Sequence, residues 1–305
     1  MPRKHHVPGG WVSLVTFAAL LALGGCREAT PPAASATAGA ATRPAQAVRQ
    51  LVAHLHDNDW AAFARDAVPP ALHAQLQDAW REGRTRWPLD ELPFDDRLPA
   101  LLKSLAAPGA ETSLQQVFDR QFSGKQAELK AAAAALGLFG AQYVDGEGGY
   151  SADERAHYTQ LVAAMSRWGM TAPLGDPQRA RQAIPQLVAA ARGTGLSRPA
   201  DFAAAGMDNS LRRLAPFAAT FKQVLARQYG LPLDASLAGM QVALLQQTGD
   251  SARVRMRYPL GGSDIDTVVS LQRVDGRWYL ADYLRHARAA VAAPAPAAAA
   301  GRAGR

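Results

Sequence analysis

Cysteine is almost absent from this chain, whose 305 residues include a single one, Cys26. A lone thiol cannot close a disulfide within the chain, and it cannot supply the several thiolates of a structural zinc site. Histidine offers no alternative cluster. His54 and His56 lie two residues apart on a predicted helix, so their rings point about 200° apart, and His73 has no fixed spacing to either. We therefore expect no metal and no cofactor.

Short catalytic motifs are also lacking. The chain has no G-x-S-x-G elbow, no Walker phosphate loop, no dinucleotide-binding glycine fingerprint and no H-E-x-x-H zinc motif. The acidic, glycine-rich stretch 145–154 lacks the ligand spacing of a calcium loop, and Ser151 with Glu154 forms a helix capping box there instead. Lysine and arginine do not cluster among aromatic residues, which argues against a nucleic-acid partner. These absences favour a binding protein over an enzyme.

The first 25 residues have the three parts of a secretory signal. A positive start at residues 3–4 precedes an almost entirely apolar run over residues 11–23, and two glycines follow it. The apolar run is too short to span a bilayer comfortably. We therefore interpret residues 1–25 as a signal peptide that is removed, rather than as a transmembrane helix.

Leu23-Gly24-Gly25-Cys26 resembles the lipobox of bacterial lipoproteins, in which a leucine and two small residues precede the lipidated cysteine. The resemblance implies diacylglycerol on the Cys26 sulfur, cleavage before Cys26, and acylation of the new amino terminus with a fatty acid such as palmitate. Several acyl chains anchor a protein to a membrane without a spanning helix. The next residue, Arg27, is not the aspartate associated with retention in the inner membrane. The resemblance therefore implies the outer membrane, facing the periplasm, with the inner membrane as the alternative; an ordinary signal peptide with an incidental cysteine is the other interpretation.

Two segments of low complexity flank the expected folded part. Residues 26–43 comprise the lipidated cysteine and a small, polar, proline-containing tether, and residues 292–305 form an alanine- and proline-rich tail predicted to be disordered. Residues 44–291 between them suffice for one large domain or two small ones. Removal of residues 1–25 lowers the net charge from +7 to +5, a basicity that suits anionic lipid headgroups or acidic glycans.

The spacing of apolar residues predicts an α+β fold. Helical spacing dominates up to residue 230, with a helical region over residues 95–230, and prolines interrupt it over residues 83–99. Beyond residue 238 the period changes to two, which predicts a C-terminal antiparallel β-meander over residues 238–286. We expect this meander to pack against the N-terminal helices, with the helical region as a large insertion.

The dipeptide Asp275-Gly276 predicts a two-residue hairpin turn. This turn pairs Arg273 with Trp278 and, if the strand continues, Val269 with Asp282. Paired residues share a face of the sheet, so Trp278 and Asp282 are predicted to lie on the apolar face. Alternatively, the strand ends before Asp282, which then meets water or caps a helix.

Matching the apolar faces of the two preceding strands predicts a second hairpin. Its register sets Arg257 opposite Asp264 and Arg255 opposite Asp266. We expect both ion pairs on the exposed face, where such pairs add about 0.2–1 kcal/mol each and help to fix the register.

The segments HDNDWAAFARDAVPPALHAQL and VDGRWYLADYL together resemble the nuclear transport factor 2-like fold. The resemblance covers residues 44–80 and 238–286. It implies helices packed across a strongly bent sheet, which leave a cone-shaped pocket between them.

Three functions are consistent with these features. We favour a non-enzymatic envelope lipoprotein that binds a small apolar ligand or a protein partner, with Tyr258, Trp278 and Asp282 at the ligand site. The second is an envelope enzyme acting on lipid or peptidoglycan fragments, with Asp282 as general base, because a desolvated carboxylate has a raised pKa. The third is a structural docking factor for an envelope assembly. Three further tryptophans could line a groove, although their spacing favours the core: Trp80, Trp87 and Trp168.

Overall fold

The computed structural model describes residues 39–92, 97–146 and 149–294. Cys26, the predicted signal peptide, most of the predicted tether and nearly all of the predicted tail lie outside these residues. The described chain has an α+β fold, with a mainly helical N-terminal part followed by a four-stranded antiparallel sheet in the order β1-β2-β3-β4.

The helices before the sheet are α1 (Pro44–His56), α2 (Trp60–Asp66), α3 (Pro70–Arg81), α4 (Leu98–Ala106), α5 (Ala110–Gln121), α6 (Gln126–Gly146), α7 (Ala152–Thr171), α8 (Pro177–Thr194), α9 (Pro199–Ala205), α10 (Met207–Tyr229) and α11 (Leu233–Ala238). The strands are β1 (Gln241–Thr248), β2 (Ser251–Leu260), β3 (Ser263–Val274) and β4 (Arg277–Leu280), and α12 (Ala281–Ala292) follows them. A short 3-10 turn, Leu89–Glu91, lies in the proline-interrupted stretch.

Local hydrogen bonds set the starts of several helices. The carboxylate of Asp59 accepts the N–H of Ala62 at 3.0 Å at the start of α2. Ser151 and Glu154 form the predicted capping box at the start of α7, and Asp176 caps α8. These side chains bind N–H groups that have no partner inside the helix.

One hydrophobic core joins the helices to the sheet. Helix α1 packs across β1, β2 and β4, while α7 and α12 pack on β3. The apolar face of α1 that the sequence predicted supplies the contact: Val48, Leu51, Val52 and Leu55 are all buried. In the helical region, α8 packs against α4, α5 and α10.

The hairpin of β3 and β4 has the predicted register, with Arg273 opposite Trp278. The predicted pairing of Val269 with Asp282 is wrong, because β4 ends at Leu280 and α12 begins at Ala281. Apolar residues in the following segment recur at helical spacing, and Leu284 and Ala287 are buried. Burial of this helical face therefore ends the strand, and Asp282 lies in the first turn of α12.

The predicted register of β2 and β3 is wrong by two residues. Asp266 lies opposite Arg257, and Asp264 lies opposite Pro259. A shift of two keeps every side chain on its predicted face. Asp266 binds both arginines, Arg255 Nε at 2.7 Å and Arg257 Nε at 3.0 Å. These hydrogen bonds, the first from Arg255, lower the pKa of Asp266 to about 2.

A two-glycine turn fixes this register. Gly261 and Gly262 join β2 to β3 with φ angles of +56° and +77°, which side chains with a Cβ rarely adopt. A Cβ on Gly261 would also lie 2.8 Å from the carbonyl oxygen of Ala164 in α7. The turn is therefore confined to glycine both by its backbone and by the helix packed on it.

The segment just before α1 is attached to β4. The N–H of Trp278 donates to the carbonyl of Ala41 at 3.0 Å, and the guanidinium of Arg277 donates to the carbonyl of Ala40 at 2.5 Å. Both alanines are buried. The chain upstream of the domain therefore leaves it at the β4 edge of the sheet.

Candidate functional site

A small cavity lies where the cone was expected, between α1, α7, α12 and the sheet. We call it the inner cavity; its lining includes Leu51, Phe63, His157, Met256, Asp282 and Tyr283, and its volume is about 70 Å³. One water-sized probe occupies roughly 10–15 Å³, whereas ligand pockets span roughly 300–1,000 Å³. The inner cavity therefore has room for a few water molecules but not for a ligand of ordinary size.

Tyr258 is a core residue rather than a ligand contact. It is buried, and its hydroxyl forms a hydrogen bond of 2.6 Å with Nε2 of His157. Burial raises the pKa of Tyr258, and burial lowers the pKa of His157 to about 4. Both groups are therefore neutral at pH 7, and their hydrogen bond satisfies two polar atoms inside the core.

Trp278 and Asp282 also differ from the predicted site. Trp278 is buried in the core and does not line the inner cavity. Asp282 does line it, but its carboxylate accepts hydrogen bonds from the Ser151 hydroxyl at 3.1 Å and from Arg285 Nη2 at 3.0 Å. Asp282 and Tyr258 thus do not converge on one pocket, and Asp282 is not the unpaired, desolvated carboxylate that a general base requires.

A partly buried charge network beside the inner cavity was not predicted from the sequence. We call it the ionic bridge; it consists of Glu91, Glu154, Arg285 and His286. Glu154 forms ion pairs with Arg285 and, at 3.3 Å, with Nε2 of His286. Nδ1 of His286 lies 2.7 Å from Oε2 of Glu91. The bridge thus ties α12 to α7 and to the 3-10 turn.

Burial and hydrogen bonding shift the pKa values of the ionic bridge in opposite directions. Burial raises the pKa of Glu154, although a hydrogen bond from the Ser151 N–H and the nearby cations oppose this rise. The hydrogen bond to Glu91, opposed by burial, raises the pKa of His286. The protonated form of His286 is therefore stabilised between the two carboxylates.

A larger cavity lies on the other side of the ionic bridge. We call it the outer cavity; its lining includes Arg84, Trp87, Glu91, Tyr150, His286 and Ala290, and its volume is about 410 Å³. Tyr158 lines both cavities, so its ring and the ionic bridge separate them. Small side chains of α12 leave this space open, because Ala289, Ala290 and Ala293 all line it. The outer cavity has the size of a ligand site.

Trp87 lines the outer cavity and carries an unsatisfied polar group. It is 1% exposed, and its indole N–H has no hydrogen-bond partner among the described residues. By contrast, the indole of Trp80 donates to the carbonyl of Phe202 at 2.9 Å, and that of Trp168 donates to Tyr229 at 2.8 Å. Trp60 also has an unpaired indole, but it lines neither cavity. A buried donor without a hydrogen-bond partner lowers the stability of the folded state by about 1–3 kcal/mol.

Hydrogen bonds hold the segment that carries Trp87 in place. Oδ2 of Asp90 accepts from the Thr85 hydroxyl at 2.5 Å and from the Arg86 N–H at 2.7 Å. Arg84 donates to the carbonyl of Val291 in α12 at 2.5 Å. These hydrogen bonds within the protein therefore hold the wall of the outer cavity in place without a ligand. The only sequence signal for it was a proline-rich stretch that cannot form a long helix.

The histidines considered as metal ligands each lie beside a carboxylate: His54 beside Asp66, His56 beside Asp57, and His73 beside Asp208. Burial alone would raise the pKa of Asp66, but hydrogen bonds from His54 and Arg65 outweigh burial and lower it. Within residues 39–92, 97–146 and 149–294 there is no group of three or more metal-binding side chains. That part of the chain also has no helix long and apolar enough to cross a membrane.

Comparison with known proteins supplies no relative. No family model matches the chain, and no curated protein or solved structure matches it. A function is therefore inferred from the cavities and the surface.

Proposed function

We propose that the chain is a lipid-anchored protein of the bacterial cell envelope that binds a small molecule in the outer cavity without transforming it. The observation that carries this proposal is the buried indole N–H of Trp87, which lacks a partner among the described residues and lines a cavity of about 410 Å³. A ligand oxygen placed there would accept that hydrogen bond and remove the cost of the unmet donor.

The lining of the outer cavity defines the chemistry of the ligand. Trp87, Tyr150 and Tyr158 offer aromatic surface, while Glu91 and His286 offer polar atoms. A suitable ligand therefore has an apolar face together with hydrogen-bond donors and acceptors. Saccharides and similar polyhydroxylated molecules have this combination. This ligand class replaces the small apolar ligand expected from the sequence, because the apolar inner cavity is too small to hold one.

The anchor in this proposal is the acylated Cys26, in the outer membrane and facing the periplasm. Its support is the lipobox, since Cys26 lies outside the described residues. The inner membrane is the alternative location.

The geometry gives the enzyme hypothesis little support. Asp282 is bound by Ser151 and Arg285. Glu154 is more deeply buried and has a raised pKa, but it accepts the Ser151 N–H at 2.7 Å and pairs with Arg285 and His286. A carboxylate with this many partners stabilises a fold, whereas a general base needs an open position beside its substrate.

The test is isothermal titration of the lipidated protein, in detergent micelles, with neutral mono- and disaccharides that include N-acetylated amino sugars. We expect saturable binding of at least one saccharide. Trp87→Phe keeps an aromatic ring but removes the donor, so it weakens binding about five- to tenfold, as expected for one lost hydrogen bond of about 1–1.5 kcal/mol. Ala290→Leu fills the outer cavity and abolishes binding.

The matched control for this titration is Trp80→Phe, which shortens a buried tryptophan away from both cavities. Its affinity for saccharide is expected to equal that of the wild type. No binding by the wild type at millimolar saccharide, or equal affinity in the Trp87→Phe protein, would refute the proposed function.

A further inference from the structure

Helix α6 contains a long uncharged stretch. Residues 131–144, AAAAALGLFGAQYV, carry no charged side chain, and Gln142 is their one strongly polar residue. A helix that is apolar all round is normally buried on all sides, in a protein core or in lipid. Among the described residues, however, protein covers only one side of α6.

The covered side of α6 packs against α7 through small residues. Ala133, Gly137, Gly140 and Val144 recur at helical spacing, and Ala133 and Val144 are buried. A Cβ on Gly140 would lie 2.9 Å from Cγ1 of Val162 in α7. The two glycines therefore let α6 lie close to α7, and this contact turns the larger apolar residues of α6 outward.

The opposite side of α6 forms a mainly apolar surface, in which Gln142 is the one strongly polar exposed side chain of residues 131–144. Leu138 is 62% exposed and Phe139 is 64% exposed. We call this surface the α6 stripe; it consists of Ala131, Ala135, Leu138, Phe139 and Tyr143, all exposed. It extends about 18 Å along the helix at 1.5 Å per residue. Three of the five large apolar residues that are exposed in the described part of the chain therefore lie on this one side of α6: Leu138, Phe139 and Tyr143.

The size of the α6 stripe argues against a second copy of the chain as its partner. One helix face about 18 Å long and about 10 Å wide offers roughly 200 Å², whereas a stable protein interface needs about 800 Å² from each partner. A lipid surface has no such requirement when the protein is already attached to it, because attachment turns weak contact into an intramolecular event.

The position of the lipidation site points to the membrane. Twelve residues lie between Cys26 and Gly39, the first described residue. Even fully extended, the thirteen residue-to-residue steps from Cys26 to Gly39 reach only about 45 Å. A domain of this size has a radius of gyration of about 18 Å. A chain acylated at Cys26 is therefore held within about its own diameter of the bilayer.

We propose that the α6 stripe lies on the lipid surface that carries the anchor, with Leu138 and Phe139 entering the boundary between headgroups and acyl chains. Amphipathic helices bind membranes in this way, parallel to the surface and with one apolar face buried. The inference rests on the lipidation of Cys26 in the proposed function, but it does not depend on the ligand of the outer cavity.

Spin labelling tests this inference directly, because an acylated Cys26 leaves any introduced cysteine as the only free thiol in the mature chain. The mature protein with Phe139→Cys carries a nitroxide and is reconstituted into phosphatidylethanolamine–phosphatidylglycerol vesicles. The matched control is Gln186→Cys on α8, which is also exposed. Collision rates with oxygen, which partitions into lipid, and with a water-soluble nickel complex are then compared.

We expect the label at position 139 to collide several-fold more with oxygen than with nickel, relative to the label at position 186. Equal ratios at the two positions would overturn the inference. An immobilised label at 139 without the oxygen preference would also overturn it, since that result indicates contact with protein.

The intact mass of the mature protein is measured on the same samples. A Cys26 without acyl chains would contradict the anchor itself, and this failure is distinct from an acylated protein whose α6 stripe stays in water.

Discussion

The buried pair of His157 and Tyr258 predicts a specific dependence of stability on pH. His157 has a folded-state pKa of about 4 because it is buried, whereas an unfolded histidine has a pKa of about 6.5. Between these values the unfolded chain binds a proton that the folded chain does not. Stability is therefore lost as the pH falls below 6.5, and the loss grows until the pH reaches about 4.

The magnitude follows from the two pKa values of His157. At pH 5, proton binding by the unfolded state removes about 2 kcal/mol of unfolding free energy, at about 1.4 kcal/mol per pKa unit. His286 acts in the opposite direction, because its raised pKa gives a contribution that is present below pH 6.5 and lost as the pH rises through its folded value. A comparison of the wild type with a His157 variant is therefore needed to separate the contributions of the two histidines to the unfolding free energy.

The assay is urea unfolding of the wild type and the His157→Gln variant at pH 7.5 and pH 5.0. Glutamine does not titrate and can still form a hydrogen bond with the Tyr258 hydroxyl. We expect the wild type to lose about 2 kcal/mol more than the variant between the two pH values. Glu154, one turn away on α7, has a pKa raised by burial in both proteins, and its contribution cancels in this difference. Equal losses would show that His157 is not held neutral by burial, and the account of this core pair would be wrong.

Three further predictions concern stability. Trp80→Phe should cost about 1–3 kcal/mol more than Trp87→Phe in urea unfolding, because Trp80 loses an indole hydrogen bond whereas Trp87→Phe removes a buried donor that has no partner among the described residues; equal costs would mean that Trp87 has a partner. Lys222→Met should lower the unfolding free energy by about 2–3 kcal/mol, because the buried ammonium donates to two carbonyls at the end of α1, and an unchanged thermal midpoint would contradict this. Gly261→Ala should lower the thermal midpoint more than Gly262→Ala, because both have positive φ but only Gly261 faces the backbone of α7; equal midpoints would exclude the clash.

Features decided by near neighbours in the sequence were predictable. The caps at Asp59, Ser151 and Asp176 depend on a side chain and an N–H two or three residues away. The hairpin at Asp275-Gly276 depends on two adjacent residues, and its register was predicted correctly. In each case the hydrogen-bonding partners lie within one turn of chain, so composition and spacing suffice.

Features decided by distant neighbours were not predictable. Alternation along β2 and β3 cannot distinguish a register from one shifted by two residues, and only the turn at Gly261-Gly262 selects between them. Alternation up to Leu280 left two possibilities open for Asp282, a continued strand or a strand that ends before it, and the buried face of α12 selects the second.

The candidate site was missed for the same reason. Glu91, Glu154 and His286 come from three separate segments of the chain, and no local pattern connects them. Glu154 was identified only as a helix cap, although its carboxylate also pairs with His286. The lack of a partner for the Trp87 indole is likewise a property of the folded chain. A sequence motif can therefore indicate a turn or a cap here, but it cannot indicate the outer cavity.

The most direct test of the central claim is the nuclear magnetic resonance signal of the Trp87 indole N–H. The whole sequence has six tryptophans, and the proposed removal of residues 1–25 would take away Trp11, so we expect five indole signals from the mature chain. The Trp87→Phe spectrum assigns the relevant one. The account predicts that a bound saccharide shifts the Trp87 signal downfield, as expected for a new hydrogen bond, while the signals of Trp80 and Trp168 stay in place. A Trp87 signal that does not move at saturating saccharide would contradict the assignment of the outer cavity as a binding site.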